Sequence, residues 1–399
     1  MKIRYILVCL LCLALLVTGC SKDGDESGEG RTEHSHTTAS STKNSSSTTA
    51  KTTASTTAAP KPIVLPKSNN LQFDASREGT YNYCPAAMKL SDGTMYIYYC
   101  TNTESYEVVD YIGCRKGARK SDGTIEWGEE KIVLSPGGAG AWDAHHVCDP
   151  SVIAGSFAYG GETYGYLMAY LGCTSYDNQE NKIGLAVAKS PEGPFVKVGD
   201  EPFIDFTVNP NVQVFQWGVG QPSLVSQDKQ GKVWLFYTKG DVDGTRLMVD
   251  VWNLSDLDSP VGGTRQKLSE NGLKNLDGGN DFMNNADLIY DTANNRFYAS
   301  SDCHPNPTDT PNYISAHFRV NYFTPANSTS FGSFTWSTLK QVGPVITEFV
   351  RNHNTGVLRD AYGHMTDDGY LTVFYTVSNT GNSSLWTYRI YDYYMELPK

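Results

Sequence analysis

The sequence predicts an all-β protein, and three observations carry the prediction. The first is composition. Among 399 residues, Gly occurs 37 times and Tyr 25 times, while charged residues make up only 19%. Abundant Gly, Tyr, Asn and Ser with few charges suits turn-rich sheets better than helical bundles. The second is periodicity. From residue 61 onward, runs dense in aromatic and β-branched residues alternate with Gly/Asp/Asn turns, and no sustained helical pattern interrupts them. The third is an internal repeat.

Five units make up the repeat, each a short strand, a polar turn and an aromatic-rich strand. The units open at Cys84, Asp149, Gln221, Asn285 and Asp360, at spacings of 65, 72, 64 and 75 residues. Such spacings suit four antiparallel strands with their loops. The expected architecture is therefore a five-bladed β-propeller over residues 61–399, a ring of sheets packed face to face that leaves only short edges exposed. Residues around Leu71–Asp74 are expected to supply the outer strand of the fifth blade. A large β-sandwich with irregular hairpins is the alternative.

The N-terminus reads as a targeting segment. Lys2 and Arg4 precede an apolar run of 13 residues, Tyr5 to Val17. That is short for crossing roughly 30 Å of hydrocarbon and right for a signal-peptide core. Val17-Thr18-Gly19-Cys20 resembles a bacterial lipobox, so residues 1–20 are expected to be a lipoprotein signal with Cys20 lipidated; an ordinary secretory signal is the alternative. Residues 21–60 hold 19 Ser/Thr and no Leu, Ile, Val, Phe, Tyr or Trp. Nothing there offsets the entropy of ordering a backbone, so a disordered linker is expected. His34 and His36 read as solvated. The localisation that follows is a bacterial cell-surface lipoprotein, held to the membrane by its lipid alone.

The formal net charge of −11 argues against nucleic acid, whose phosphates need clustered Lys and Arg. A polytopic membrane protein and a coiled coil are set aside with it. Six cysteines remain beyond Cys20: Cys84, Cys100, Cys114, Cys148, Cys173 and Cys303. Disulfides are permitted in an exported protein, and the absence of a CxxC pair argues against structural zinc.

The registered positions Cys84, Asp149, Gln221, Asn285 and Asp360 should converge near the ring axis, with the segments before them forming a rim. Trp142-Asp143-Ala144-His145-His146 precedes the second unit, and Trp217 the third. Asp281 precedes the fourth, and Glu348, His353 and Arg359 the fifth. Carboxylates, amides and tryptophans around one pit are what a sugar site requires. Cleaving a glycosidic bond needs one carboxylic acid for the leaving oxygen and a second carboxylate as base or nucleophile. The candidates are Asp149, Asp287, Asp281, Glu348 and Asp360. Trp142, Asp143, His145, Trp217, Gln221, Asn285 and Arg359 are the candidate substrate-binding residues. Each has a structural reading as well. Asp149 and Asp281 suit turns, Asp360 and Arg359 an ion pair, and His364 a packed, hydrogen-bonded histidine.

Asp149-Pro150-Ser151-Val152 and the run from Ile183 through Ser190-Pro191-Glu192-Gly193-Pro194-Phe195 resemble the five-bladed glycoside hydrolases. These are the family 43 xylosidases and arabinanases with their family 32, 68 and 130 relatives. The resemblance covers residues from about 80 to 395 as a repeat pattern. It implies a glycosidase with an aspartate opening the first blade, one in the third and a glutamate in the fourth. The matching positions here are Cys84, Gln221 and Asn285, so the catalytic set has either moved around the ring or been lost.

Two functions follow as expectations. One is a surface-anchored, monomeric glycoside hydrolase of two-carboxylate type, acting on an arabinose- or xylose-containing glycan. The other is a non-catalytic glycan-binding lipoprotein that captures oligosaccharides. No organic cofactor is expected. A structural Ca2+ on the axis is the one metal considered, with Asp360 and Gln221 as oxygen ligands.

Overall fold

A computed structural model of the chain describes residues 63–176 and 178–398. The expected signal, Cys20 and the linker lie outside the described residues. The regular structure of the described residues is almost all strand. The first repeat holds β1 (Asn82–Lys89), β2 (Thr94–Thr101), β3 (Tyr111–Arg119), β4 (Ile125–Trp127) and β5 (Lys131–Leu134). The second holds β6 (His146–Tyr159), β7 (Glu162–Cys173), β8 (Lys182–Ala188) and β9 (Val196–Lys197). The third holds β10 (Gly218–Ser226), β11 (Lys232–Asp241), β12 (Gly244–Asn253) and β13 (Val261–Lys267). The fourth holds β14 (Asp287–Asp291), β15 (Arg296–Asp302), β16 (Phe318–Phe323) and β17 (Ser337–Val342), then one helical turn, α1 (Pro344–Thr347). The fifth holds β18 (Arg351–Asp360), β19 (Tyr370–Ser378) and β20 (Arg389–Glu396).

Each repeat is an antiparallel meander, yet the meanders make four sheets. β1 and β18 pair in parallel, Ala87 with Leu358 and Lys89 with Asp360, which joins the first and fifth into one eight-stranded sheet. The first and last described segments meet on the same sheet. Leu71 bridges Tyr391, and Gln72 N donates to Ile390 O at 2.9 Å, so an N-terminal segment lies along β20 as its outer neighbour.

Packing explains why the second strand of each unit is aromatic rather than alternating. β2, Thr-Met-Tyr-Ile-Tyr-Tyr-Cys-Thr, is buried on both faces because a neighbouring sheet covers each side. Ile153, Leu167 and Leu185 of the second meander pack on Leu224, Leu235 and Val233 of the third. Phe236 and Val249 meet Leu288 and Phe297 of the fourth, and Ile289 and Tyr298 meet Val373 and Tyr375 of the fifth. Met88 and Tyr98 pack on Val152 and Met168, while Ala87 and Ile97 pack on Leu358 and Phe374. Every meander thus shares a core with the next, and the fifth with the first. Phe157, Phe236 and Phe297 are wholly buried in these seams, each worth about 1.5–3 kcal/mol of transfer free energy.

Candidate active site

The site begins with a backbone irregularity repeated five times. Cys84, Asp149, Gln221, Asn285 and Asn354 all adopt left-handed conformations, with φ of 49°, 48°, 51°, 47° and 43°. In β1, β6, β10 and β18 the pairing register slips at this point, the mark of a β-bulge. None of the five is glycine, so each conformation carries strain of about 1–3 kcal/mol. An extra residue at each bulge turns the side chain toward the four others. Together they line one small pit, with Pro85, Pro150, Pro222, Asp287 and Thr355 also in its wall.

One expectation is corrected here. The fifth ring position is Asn354, and Asp360 stands at the opposite end of β18, opposite Lys89. Six residues separate the two, about 20 Å of extended strand. The Asp360 carboxylate accepts from Tyr362 N and His364 N at 2.8 Å each, closing a turn. A small residue at the second place and an apolar pair at the fourth and fifth mark all five openings. Asn354-Thr355-Gly356-Val357-Leu358 carries that signature, and Asp360-Ala361-Tyr362 does not.

The ring is tied by hydrogen bonds between meanders. Asn285 N donates to Gln221 Oε1 at 2.8 Å, and Gln221 Nε2 donates to Asn285 Oδ1. Asn285 Nδ2 then donates to Asp302 Oδ2 at 2.6 Å, and Asn354 N to Asp302 Oδ1 at 3.0 Å. Asp302 ends β15 behind the ring, 5% exposed. Desolvation pushes its carboxyl up to about 7, against the amide and His304, which favour its charge. Desolvation also raises Asp149 to about 6, with the nearby Asp110 charge adding to the rise and hydrogen bonds from Cys84 and Gln221 opposing it. Burial holds His353 down at about 4, keeping the imidazole neutral. One carboxylate on the ring and one behind it therefore change charge near neutrality, as acid/base chemistry needs.

Beneath the ring lies a structural layer. Asp287 accepts from Ser223 Oγ at 2.8 Å and Val357 N at 2.9 Å, and pairs with Arg359 at 3.3 Å. Arg359, 1% exposed, also donates to Leu224 O and Ser151 Oγ. One guanidinium thus ties four meanders together, and Asp287, in the pit wall, carries these structural contacts as well.

Other expected residues lie apart from the pit. Trp142 stacks on Tyr170 inside the seam of the first two meanders. Asp143 is buried, accepts from Tyr170 Oη at 3.0 Å and pairs with Lys197 at 2.6 Å. Asp281 pairs with His304 at 2.8 Å, outside the pit lining. Glu348 is an exposed left-handed residue that ends α1. His145 leans edge-on against His146, whose own ring holds Asp110 at 2.8 Å. Trp217 does reach the site, packing with Tyr83 and Cys84 beside the disulfide Cys100–Cys148.

Sequence reasoning missed Asp302, Asn354, Asp110 and a wall of aromatics, and placed His353 on the rim without giving it a role. Tyr83 and His353 both lie edge-on to Tyr388, at 5.7 and 4.9 Å, and Trp386 continues the wall beside Tyr81 and Tyr106. Asp302 had a weak signal, an aspartate closing an inner strand in Ser300-Ser301-Asp302. Of the two oxygen ligands considered for an axial Ca2+, Asp360 lies at the far end of β18, while Gln221 Oε1 stands on the ring and accepts from Asn285 N.

The fold resembles that of solved glycoside hydrolases. A family 117 glycoside hydrolase from the marine bacterium Zobellia galactanivorans is similar at a TM-score of 0.53 and 13% identity, over 82% of this chain and 89% of that one. An α-L-arabinofuranosidase from Podospora anserina is similar at 0.50 and 10%, over 84% and 96%. An exo-β-1,3-galactanase from Phanerochaete chrysosporium is similar at 0.51 and 12%, over 82% and 63%. At these identities the likeness establishes the all-β fold of such hydrolases. No protein-family model and no curated sequence matches the chain.

Proposed function

We propose that this protein is a glycoside hydrolase built as a five-bladed β-propeller, the five meanders being its blades. The observation that supports it most is the pair Asp149, on the ring, and Asp302, behind it, raised to about 6 and 7. Asp302 would carry the proton for the leaving oxygen, and Asp149 would act as base or nucleophile. The pit below the ring has a volume of about 40 Å³, room for roughly one water. A sugar would therefore rest on the ring, with Trp217, Tyr83 and Tyr388 offering faces for its C–H surface. The similar arabinofuranosidase and galactanase make a side chain or end of an arabinose- or xylose-containing glycan the first substrate to try. In this reading Cys20 carries the lipid, residues 21–60 are the tether, the domain is 61–399, and the protein works as a monomer at the cell surface.

A second reading draws on the ring itself. Four of its five positions, Cys84, Gln221, Asn285 and Asn354, are uncharged at neutral pH, as suits a protein that captures glycans without cutting them. Incubating the chain with arabinan, arabinoxylan and galactan beside an Asp302→Asn variant separates the two. Released sugar from wild type alone supports hydrolysis, and binding without release supports capture.

A further inference from the structure

The cysteines of the pit form a group that glycan chemistry leaves unused. Cys84 is a thiol on the ring, and its sulfur, the sulfurs of the Cys100–Cys148 disulfide and a carboxylate oxygen of Asp149 all lie within 4.8 Å of one another. We infer that Cys84 and the Cys100–Cys148 disulfide form an internal thiol–disulfide exchange site, with Asp149 as its proton acceptor.

Three contacts equip the group for that reaction. The Cys84 sulfur lies within 4.8 Å of an Asp149 carboxylate oxygen, which gives its proton a destination. The backbone N–H of Asp149 donates to Cys100 Sγ at 3.0 Å, and Tyr83 Oη stands 3.1 Å from Cys148 Sγ. Each disulfide sulfur thus has a polar donor aimed at it, able to stabilise the thiolate that departs. In the exchange, the Cys84 proton passes to Asp149 and the Cys84 sulfur attacks Cys148. The Cys84–Cys148 bond forms as the Cys148–Cys100 bond breaks. Cys100 leaves as a thiolate held by the Asp149 N–H and is then protonated from the Asp149 carboxyl. One disulfide replaces another, so no oxidant or reductant enters.

The consequence reaches the ring. Once joined to Cys148, Cys84 no longer donates to Asp149, and the first ring position changes from a hydrogen-bond donor to a disulfide sulfur. The groups facing Cys84 are Asp149, Asp110, Asp302, Tyr83 and Tyr388. Burial and the three carboxylates favour the thiol form, so the exchange is slow at neutral pH and quickens as pH rises.

The test is disulfide mapping of the full-length protein, held at pH 7, 8 or 9, quenched with an alkylating agent and digested without reduction. The expected result is a Cys84–Cys148 peptide pair with Cys100 alkylated, appearing about tenfold faster per pH unit while Cys84 stays mostly protonated. Cys100 alkylation should fall at least about tenfold in a folded Cys84→Ser variant. Cys84 alkylated at every pH with Cys100–Cys148 intact overturns the inference, and so does equal Cys100 labelling in that variant. As a second measurement, a Cys100→Ser variant treated with oxidised glutathione should close Cys84 to Cys148. A folded variant that stays glutathionylated without closing contradicts the proposed proximity.

Discussion

The Asn285 side-chain amide donates to the Asp302 carboxylate across 2.6 Å, so a ring residue of the fourth meander rests on a charge held behind the ring. The other oxygen of Asp302 accepts from Asn354 N in the fifth. This carboxylate therefore couples the geometry of two ring positions to its own protonation state.

Activity should follow a narrow bell in pH. Asp149 must be ionised and Asp302 protonated, so kcat/KM should fall below about 6 and above about 7. Asp302→Asn should remove the alkaline limb and lower the maximum by roughly 10²–10⁴-fold. A pH profile of both enzymes on one released-sugar assay checks this.

Stability should fall as pH rises through the same range. The Asp302 carboxyl stands at about 7 in the folded state against 3.8 as its ordinary value, so folding favours its protonated form. That contribution is complete below about pH 4 and is lost progressively up to about pH 7, a few kcal/mol in all. Denaturant unfolding of wild type and Asp302→Asn from pH 4 to 8 should show a shallower slope in the variant, the remainder coming from Asp149.

Arg359 should matter to stability rather than to chemistry. Removing it leaves Asp287 buried without its partner, and Arg359→Met should cost about 3–5 kcal/mol. The double variant with Asp287→Asn should recover part of that loss. Chemical unfolding of the three variants measures it.

Gly356 sits where β18 crosses the first meander, and a Cβ there would lie 1.8 Å from Pro85 O. Because backbone, not a flexible side chain, stands in the way, Gly356→Ala should cost more than about 3 kcal/mol or prevent folding. Thermal unfolding against a Gly332→Ala control, where a Cβ meets nothing within 4 Å, reads the difference.

Cys20→Ser should release the protein from the membrane fraction into the soluble one. Fractionation of expressing cells with an antibody to the domain is the check.

The strands were legible in the sequence because both faces of each inner strand are buried. That produces dense apolar runs such as Thr94–Thr101 and Lys232–Asp241, bounded by turn residues. Four of five ring positions were legible from the repeat. The fifth was missed because Asp360-Ala361 imitates an opening while performing a turn. Trp142 and Asp143 misled for a different reason: tryptophan and aspartate suit a sugar site and a packed seam equally, and only the contacts with Tyr170 and Lys197 distinguish them. Asp302 gave only a weak signal, because its role comes from a side-chain amide and a backbone N–H that the fold brings from other segments. The parallel pairing of β1 with β18 was invisible, since it joins residues about 270 apart in the chain.

The most direct measurement compares the full chain with Asp149→Asn on arabinan, arabinoxylan and galactan, following released sugars by chromatography. The account predicts product from wild type and at least about 10²-fold less from the variant. Equal product from both would contradict the place given to Asp149, and no product from wild type on any of the three, with binding retained, would contradict the hydrolase itself.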